Sequence, residues 1–151
     1  MAKLGRYSAD RKKVVTLTTT ATEIQPAACG TVFMLDGTDY SADVTHSLPH
    51  PSEAGAGWWC KFIVKTATLD SGSDDCLIKI RAAGASTFVD DLIMIQAHGT
   101  DGNAGLQDAD ADFLKIVGET VGGTQIEFLC DGNKYYAIGS VKAAAEITVD
   151  T

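Results

Sequence analysis

The stretch "TQIEFLCDGNKYYAIGS", Thr124–Ser140, decides the fold. Two runs alternate apolar and polar residues on either side of Asp131-Gly132-Asn133. A period of two is the pattern of a half-buried strand, and a short Asp-Gly turn between two such runs reads as a β-hairpin.

The same pattern extends outward in both directions. "VVTLTTTAT" from Val14 is β-branched and alternating, "TVFMLD" from Thr31 is a short apolar run, and "YSADVTHSL" sets Tyr40, Ala42, Val44, His46 and Leu48 on one side. Asp36-Gly37 between the latter two reads as a turn similar to the one at Asp131. "WWCKFIVK", "CLIKIRA", "LIMIQA" and "FLKIVG" precede the hairpin, and "EITV" comes after it. Only "FVDDLIMIQ" and "KAAAEI" offer so much as a helical turn, since no longer segment combines helical spacing with caps. Short strands every ten residues or so predict an all-β fold: an antiparallel β-sandwich or barrel, jelly-roll-like. No βαβ rhythm points to a dinucleotide-binding sheet.

Length and composition agree. A chain of 151 residues with 45% hydrophobic content is one domain, large enough to bury a core without staples. No apolar run approaches the roughly 18 residues of a membrane helix, and the basic start "MAKLGRYSADRKKVV" has no apolar stretch to make it a signal peptide. Charge is uneven. Residues 1–13 carry five Lys/Arg against one Asp, while residues 14–151 carry seven against nineteen acids. The division is therefore an extended basic N-terminal arm (1–13) on a single acidic β domain (14–151). Such an arm docks on something acidic, and the body is a poor ligand for nucleic acid.

Reactive constellations are scarce. Nucleophile-elbow, zincin, phosphate-loop and dinucleotide fingerprints are absent from the sequence. Cys29, Cys60, Cys76 and Cys130 form no C-x-x-C pair and have no histidine at zinc-ligand spacing. Three sit in apolar stretches and read as buried thiols, although four cysteines also allow two bridges. His50, between two prolines, reads as an exposed loop residue, and a pairing with Cys60 has nothing to recommend it. Asp108, Asp110 and Asp112 have the D-x-D-x-D spacing of a calcium loop. Phe113 stands where that loop needs glycine, however, and only Glu119 fits, so a solvated acidic loop is the better reading. No catalytic, metal or cofactor site is expected.

In "SLPHPSEAGAGWWCKFIVK", Ser47–Lys65, a Pro/Gly loop leads into two adjacent tryptophans. Neighbours on a strand point to opposite faces. One of Trp58 and Trp59 therefore plugs the core and the other faces outward, as an oligomer contact rather than a flat ligand platform.

Taken in order, "CGTVFMLD", "SLPHPSEAGAGWWCKFIV" and "GGTQIEFLCDGNKYYAIGS" resemble β-rich structural proteins of tailed bacteriophages, particularly the small capsid decoration (cement) proteins. The opening "MAKLGRYSADRKKV" is similar to the start of such proteins. One departure is Tyr135-Tyr136, where the final hairpin of that family usually has Trp. The resemblance implies a non-enzymatic virion protein, made in the bacterial cytoplasm and carried on the outer surface of the capsid. It implies binding as an oligomer, a trimer at local threefold positions, that clamps neighbouring major capsid proteins, with neither nucleic acid nor membrane as partner. Arg6, Tyr7, Arg11, Lys12 and Lys13 are then the candidate capsid contacts, and Trp58 or Trp59, whichever faces outward, an oligomer contact. The alternative is a head- or tail-fibre module that binds a host surface glycan through an outward aromatic.

Overall fold

The computed structural model describes residues 12–70, 72, 74–81, 92–97, 106–107, 113–141 and 146–150, the stretches 92–97, 106–107 and 149–150 as backbone. These residues form strands β1 (Lys13–Leu17), β2 (Thr22–Glu23), β3 (Thr31–Leu35), β4 (Val44–Leu48), β5 (Trp59–Val64), β6 (Cys76–Ile80), β7 (Leu92–Ala97), β8 (Leu106–Gln107), β9 (Phe113–Ile116), β10 (Gln125–Cys130), β11 (Tyr135–Ser140) and β12 (Ile147–Asp150). A 3-10 turn (Pro26–Ala28) and a one-turn helix α1 (Pro51–Ala54) complete them. The segment 92–97 is therefore a strand rather than a helical turn.

Two sheets stack. The larger runs β1-β3-β5-β10-β11-β7-β8 and the smaller β12-β9-β6-β4-β2. The all-β sandwich stands, but its strand directions are mixed. Five ladders are parallel, namely β1–β3, β3–β5, β2–β4, β4–β6 and β7–β11, and five are antiparallel. The reason lies in the connections. From β1 to β6 the chain changes sheet at every step, so strands two apart in sequence lie side by side and point the same way. Each crossing lets a strand bury one face against the strand before it, in the opposite layer. Asp36-Gly37 accordingly closes no hairpin: it carries the chain from the large sheet to the small one.

The hairpin at 124–140 does form, with Gln125 opposite Ser140 and Cys130 opposite Tyr135. Gly132 takes a φ of 97°, and the Asp131 carboxylate accepts from the backbone N–H groups of Asn133 and Lys134, each at 2.8 Å. These bonds, with a further one from the Tyr136 hydroxyl, hold the Asp131 carboxyl below its usual range.

Alternation places Leu17, Phe33, Leu35, Phe62, Val64, Ile126 and Phe128 of the large sheet against Val44, Leu48, Ile78, Ile80, Leu114 and Ile116 of the small one. Phe62 is the centre of an aromatic run, stacked on Phe33 at 5.2 Å and edge-on to Phe128 at 5.7 Å. Cys60, Cys76 and Cys130 are buried free thiols in this core, and Cys29 is an exposed one. Burial pushes the Cys76 thiol up to about 12. Backbones also approach closely. At Gly122 a Cβ would overlap the Thr66 carbonyl oxygen. Gly122→Ala is expected to lose about 2 kcal/mol of stability, as overpacking does, and a chemical denaturation curve checks this. An unchanged midpoint would mean that the 66–68 turn yields freely.

Candidate interaction surface

The two ends of the sandwich differ chemically. At one end the chain leaves β3, enters β4 and β6 and leaves β9. The connecting loops there carry Asp36, Asp39, Asp43, Asp74, Asp75 and Glu119. Lys65 contacts Asp36 at 2.8 Å and Lys115 contacts Asp75 at 3.4 Å. The Lys65 ammonium, together with Thr38, holds the Asp36 carboxyl below its usual range. The opposite end gathers the 3-10 turn, α1, the Trp pair and the Asp131 turn. His50 lies there, partly buried rather than exposed, and caps α1 through Nδ1, which accepts from the Ser52 N–H at 3.3 Å. Charges at this end are mixed: Arg81 bridges Glu53 and Glu23. The basic arm enters the sandwich here, because β1 starts at Lys13 beside Thr31.

Trp58 and Trp59 separate as strand alternation requires. Trp58 is 3% exposed, meets Tyr135 edge-on at 5.7 Å, and donates its indole N–H to the Pro26 carbonyl at 2.8 Å. The Tyr135 hydroxyl donates in turn to the Pro49 carbonyl at 2.9 Å. One aromatic pair thus ties the strand ends to both loops on that side. Trp58 has no surface left to offer a partner, which corrects its candidacy as an oligomer contact. Trp59 is half-buried on the outside of the large sheet. Its ring covers Gly30, with the Lys12 ammonium 5.3 Å from the ring centre.

Trp59 belongs to a larger feature. The pairing registers align three outward rows across the large sheet. One runs Trp59, Leu129, Tyr136; the next Val14, Val32, Lys61, Glu127, Ile138; the third Thr16, Met34, Ile63, Gln125, Ser140. Val14 is 61% exposed, Leu129 44% and Ile138 51%. Among the described residues these are the exposed large hydrophobic side chains, and all three stand on this face. Lys61 and Glu127 form an ion pair of 3.2 Å at its middle, beside a shallow depression lined by Gln125, Ile138 and Ser140. The outward face of the small sheet differs, with Thr45, Ser47, Lys79, Lys115 and Thr148 around Leu77 and Phe113. The signal for the apolar face was present in the sequence: "WWCKFIV" and "EFLC" are apolar at both parities of the strand, so neither face of β5 or β10 is purely polar.

β1 is the edge strand of the large sheet, paired with β3 on one side only among the described residues. Of the expected capsid contacts, Lys12 lies over Trp59 and Lys13 opens β1, while Arg6, Tyr7 and Arg11 lie outside the described residues. His98 and the Asp108–Asp112 triplet lie outside them too. Among the described residues no three His, Cys, Asp or Glu side chains gather as a metal site would require, and no helix is long and apolar enough to cross a membrane.

Comparison with family models, with curated proteins and with solved structures finds no match.

Proposed function

We propose that the chain is a structural virion protein that decorates an icosahedral phage capsid. It stabilises the shell by binding as an oligomer across neighbouring major capsid proteins, and it works by adhesion rather than catalysis. The resemblance implies three copies per cluster, placed on the outer surface of the head.

The observation that carries this reading is the placement of the arm. A basic segment runs directly into an exposed edge strand, at the end of the sandwich opposite the acidic loops. Such a molecule approaches an acidic surface arm first: Asp36, Asp39, Asp43, Asp74, Asp75 and Glu119 lie at the far end, and of the acids at the arm's own end Glu23 and Glu53 are paired with Arg81, which lessens like-charge repulsion. Among the described residues the open side of β1 has no strand beside it, so a partner's strand can add there. Each arm contributes modestly alone, and several arms in one oligomer bind together far more tightly.

Removing residues 2–11 spares Lys12 on Trp59 and leaves β1 whole. Mixed with expanded heads that lack the protein, the shortened chain is expected to bind at least about tenfold more weakly. Its circular dichroism stays unchanged. Equal occupancy of the heads by the two forms rejects the proposal.

A second reading has one observation in its favour. Trp59, Leu129 and Tyr136 share a row, and Asp131 holds the Tyr136 hydroxyl at 3.2 Å. An aromatic row edged by a carboxylate suits a sugar ring. A glycan-array signal abolished by Trp59→Ala supports a host-binding module instead.

A further inference from the structure

We infer that a second copy of this chain packs face to face on the outer surface of the large sheet, across a twofold axis near Lys61 and Glu127. The inference goes beyond the proposed function: it concerns the free protein and rests on neither the capsid nor the threefold cluster.

Three observations lead to it. First, the exposed large hydrophobics converge. Leu129 and Ile138 come from the two strands of the hairpin and Val14 from the far end of the chain, yet all three share one face. On the other outward face Leu77 and Phe113 are half-buried among polar side chains, so the exposed large hydrophobics gather on one side of the molecule, as at an interaction surface. Second, the size fits. Six strands, β1, β3, β5, β10, β11 and β7, about 4.8 Å apart and each about 17 Å long, give a face of roughly 500 Å². Two such faces bury roughly 1,000 Å², about the least that a specific interface needs.

Third, the polar centre is self-complementary. Lys61 and Glu127 are cross-strand neighbours 3.2 Å apart. A twofold axis between them sets each Lys61 opposite the other copy's Glu127, so the pair becomes a four-charge ring instead of two buried ions in conflict. The same operation places the apolar side chains of the two copies around that ring, and the depression beside Ile138 gives a protruding side chain somewhere to seat. A partner of different sequence would need no such symmetry in the charges. Face-to-face pairing builds even-numbered assemblies, so it competes with the threefold cluster that the resemblance implies.

The test is the solution mass of the full chain by sedimentation velocity over a wide concentration range. The expected wild-type mass is that of two chains. Leu129→Glu with Ile138→Glu is expected to raise the dissociation constant at least tenfold, with circular dichroism unchanged because both side chains are exposed in one copy. Lys61→Glu and Glu127→Lys each weaken the dimer, and the double reversal restores it. That restoration separates recognition from damage to the fold. A wild-type monomer, a trimer, or a dimer indifferent to the Leu129 and Ile138 changes overturns the inference. The chain lacking residues 2–11 keeps its dimer mass while losing heads, so failure here and failure of the capsid reading are distinct results.

Discussion

Trp58→Ala is expected to lose about 4 kcal/mol of folding stability, within the span of large aromatic truncations in a core. Trp59→Ala, one residue along, is expected to lose about 1 kcal/mol or less. The asymmetry arises from the strand. Trp58 fills the end of the core, packs edge-on against Tyr135, and satisfies the Pro26 carbonyl. Truncation leaves a cavity and takes from the Pro26 carbonyl one of its two donors, the Cys29 N–H at 3.2 Å remaining, so the cavity is the larger penalty. Trp59 covers Gly30 and supports Lys12 on the surface. A small domain holds only about 5–15 kcal/mol in total, so Trp58→Ala should show a large drop in urea midpoint at constant slope. Similar midpoints for the two variants would mean that the interior aromatic is not the tie between the 3-10 turn and the hairpin.

Most of the strands were legible in the sequence, and so was the outcome at the tryptophans, because both rest on a period of two. The inward row Tyr40, Val44, His46, Leu48 is likewise buried as alternation predicts, with Ala42 the exposed exception. Pairing was not legible. "TVFMLD" and "YSADVTHSL" flank an Asp-Gly just as "TQIEFLC" and "KYYAIGS" do, yet only the second set pairs. The difference lies on the far side of the turn. Alternation resumes at once after Asn133, whereas eight residues separate Leu35 from β4, enough to cross from one layer to the other. Gly37 serves that crossing through its lack of a side chain, since a Cβ there would meet the Leu69 carbonyl. Parallel neighbours result from layer crossing, a tertiary choice that local composition does not encode.

The candidate surface was half legible for the same reason. Each strand shows which of its residues alternate outward, but only the register reveals that Val14, Lys61, Glu127 and Ile138 form one row. The separation of basic arm from acidic loops needed the topology as well. The sequence places the acids throughout residues 14–151; the strand directions collect Asp36, Asp39, Asp43, Asp70, Asp74, Asp75, Glu119 and Glu146 at the end away from the arm and leave Glu23, Glu53 and Asp131 at the arm's own end.

Acid is expected to weaken the wild-type protein between pH 6.5 and pH 4, and His46→Leu to remove that weakening. His46 lies in the middle of β4, 0% exposed, between the sheets, and neither ring nitrogen has a hydrogen-bond partner among the described residues. Burial lowers its pKa from 6.5 to about 4, because no neighbour compensates an imidazolium there. The unfolded chain protonates this ring near 6.5, while the native protein resists until about 4. Between those values the unfolded state holds the extra proton, so stability falls as pH falls. The contribution is fully present above 6.5 and is lost by about pH 4, a drop of roughly 3 kcal/mol. Asp36 and Asp131, with carboxyls held below their usual range, lose their native advantage only at lower pH, which keeps the two windows apart. Leucine has a similar volume and no nitrogen to desolvate, so the variant should also gain stability at neutral pH. Urea midpoints of the two proteins across this range provide the check. Parallel curves for wild type and His46→Leu would show that the ring already carries a proton, or a hydrogen bond, in the folded state.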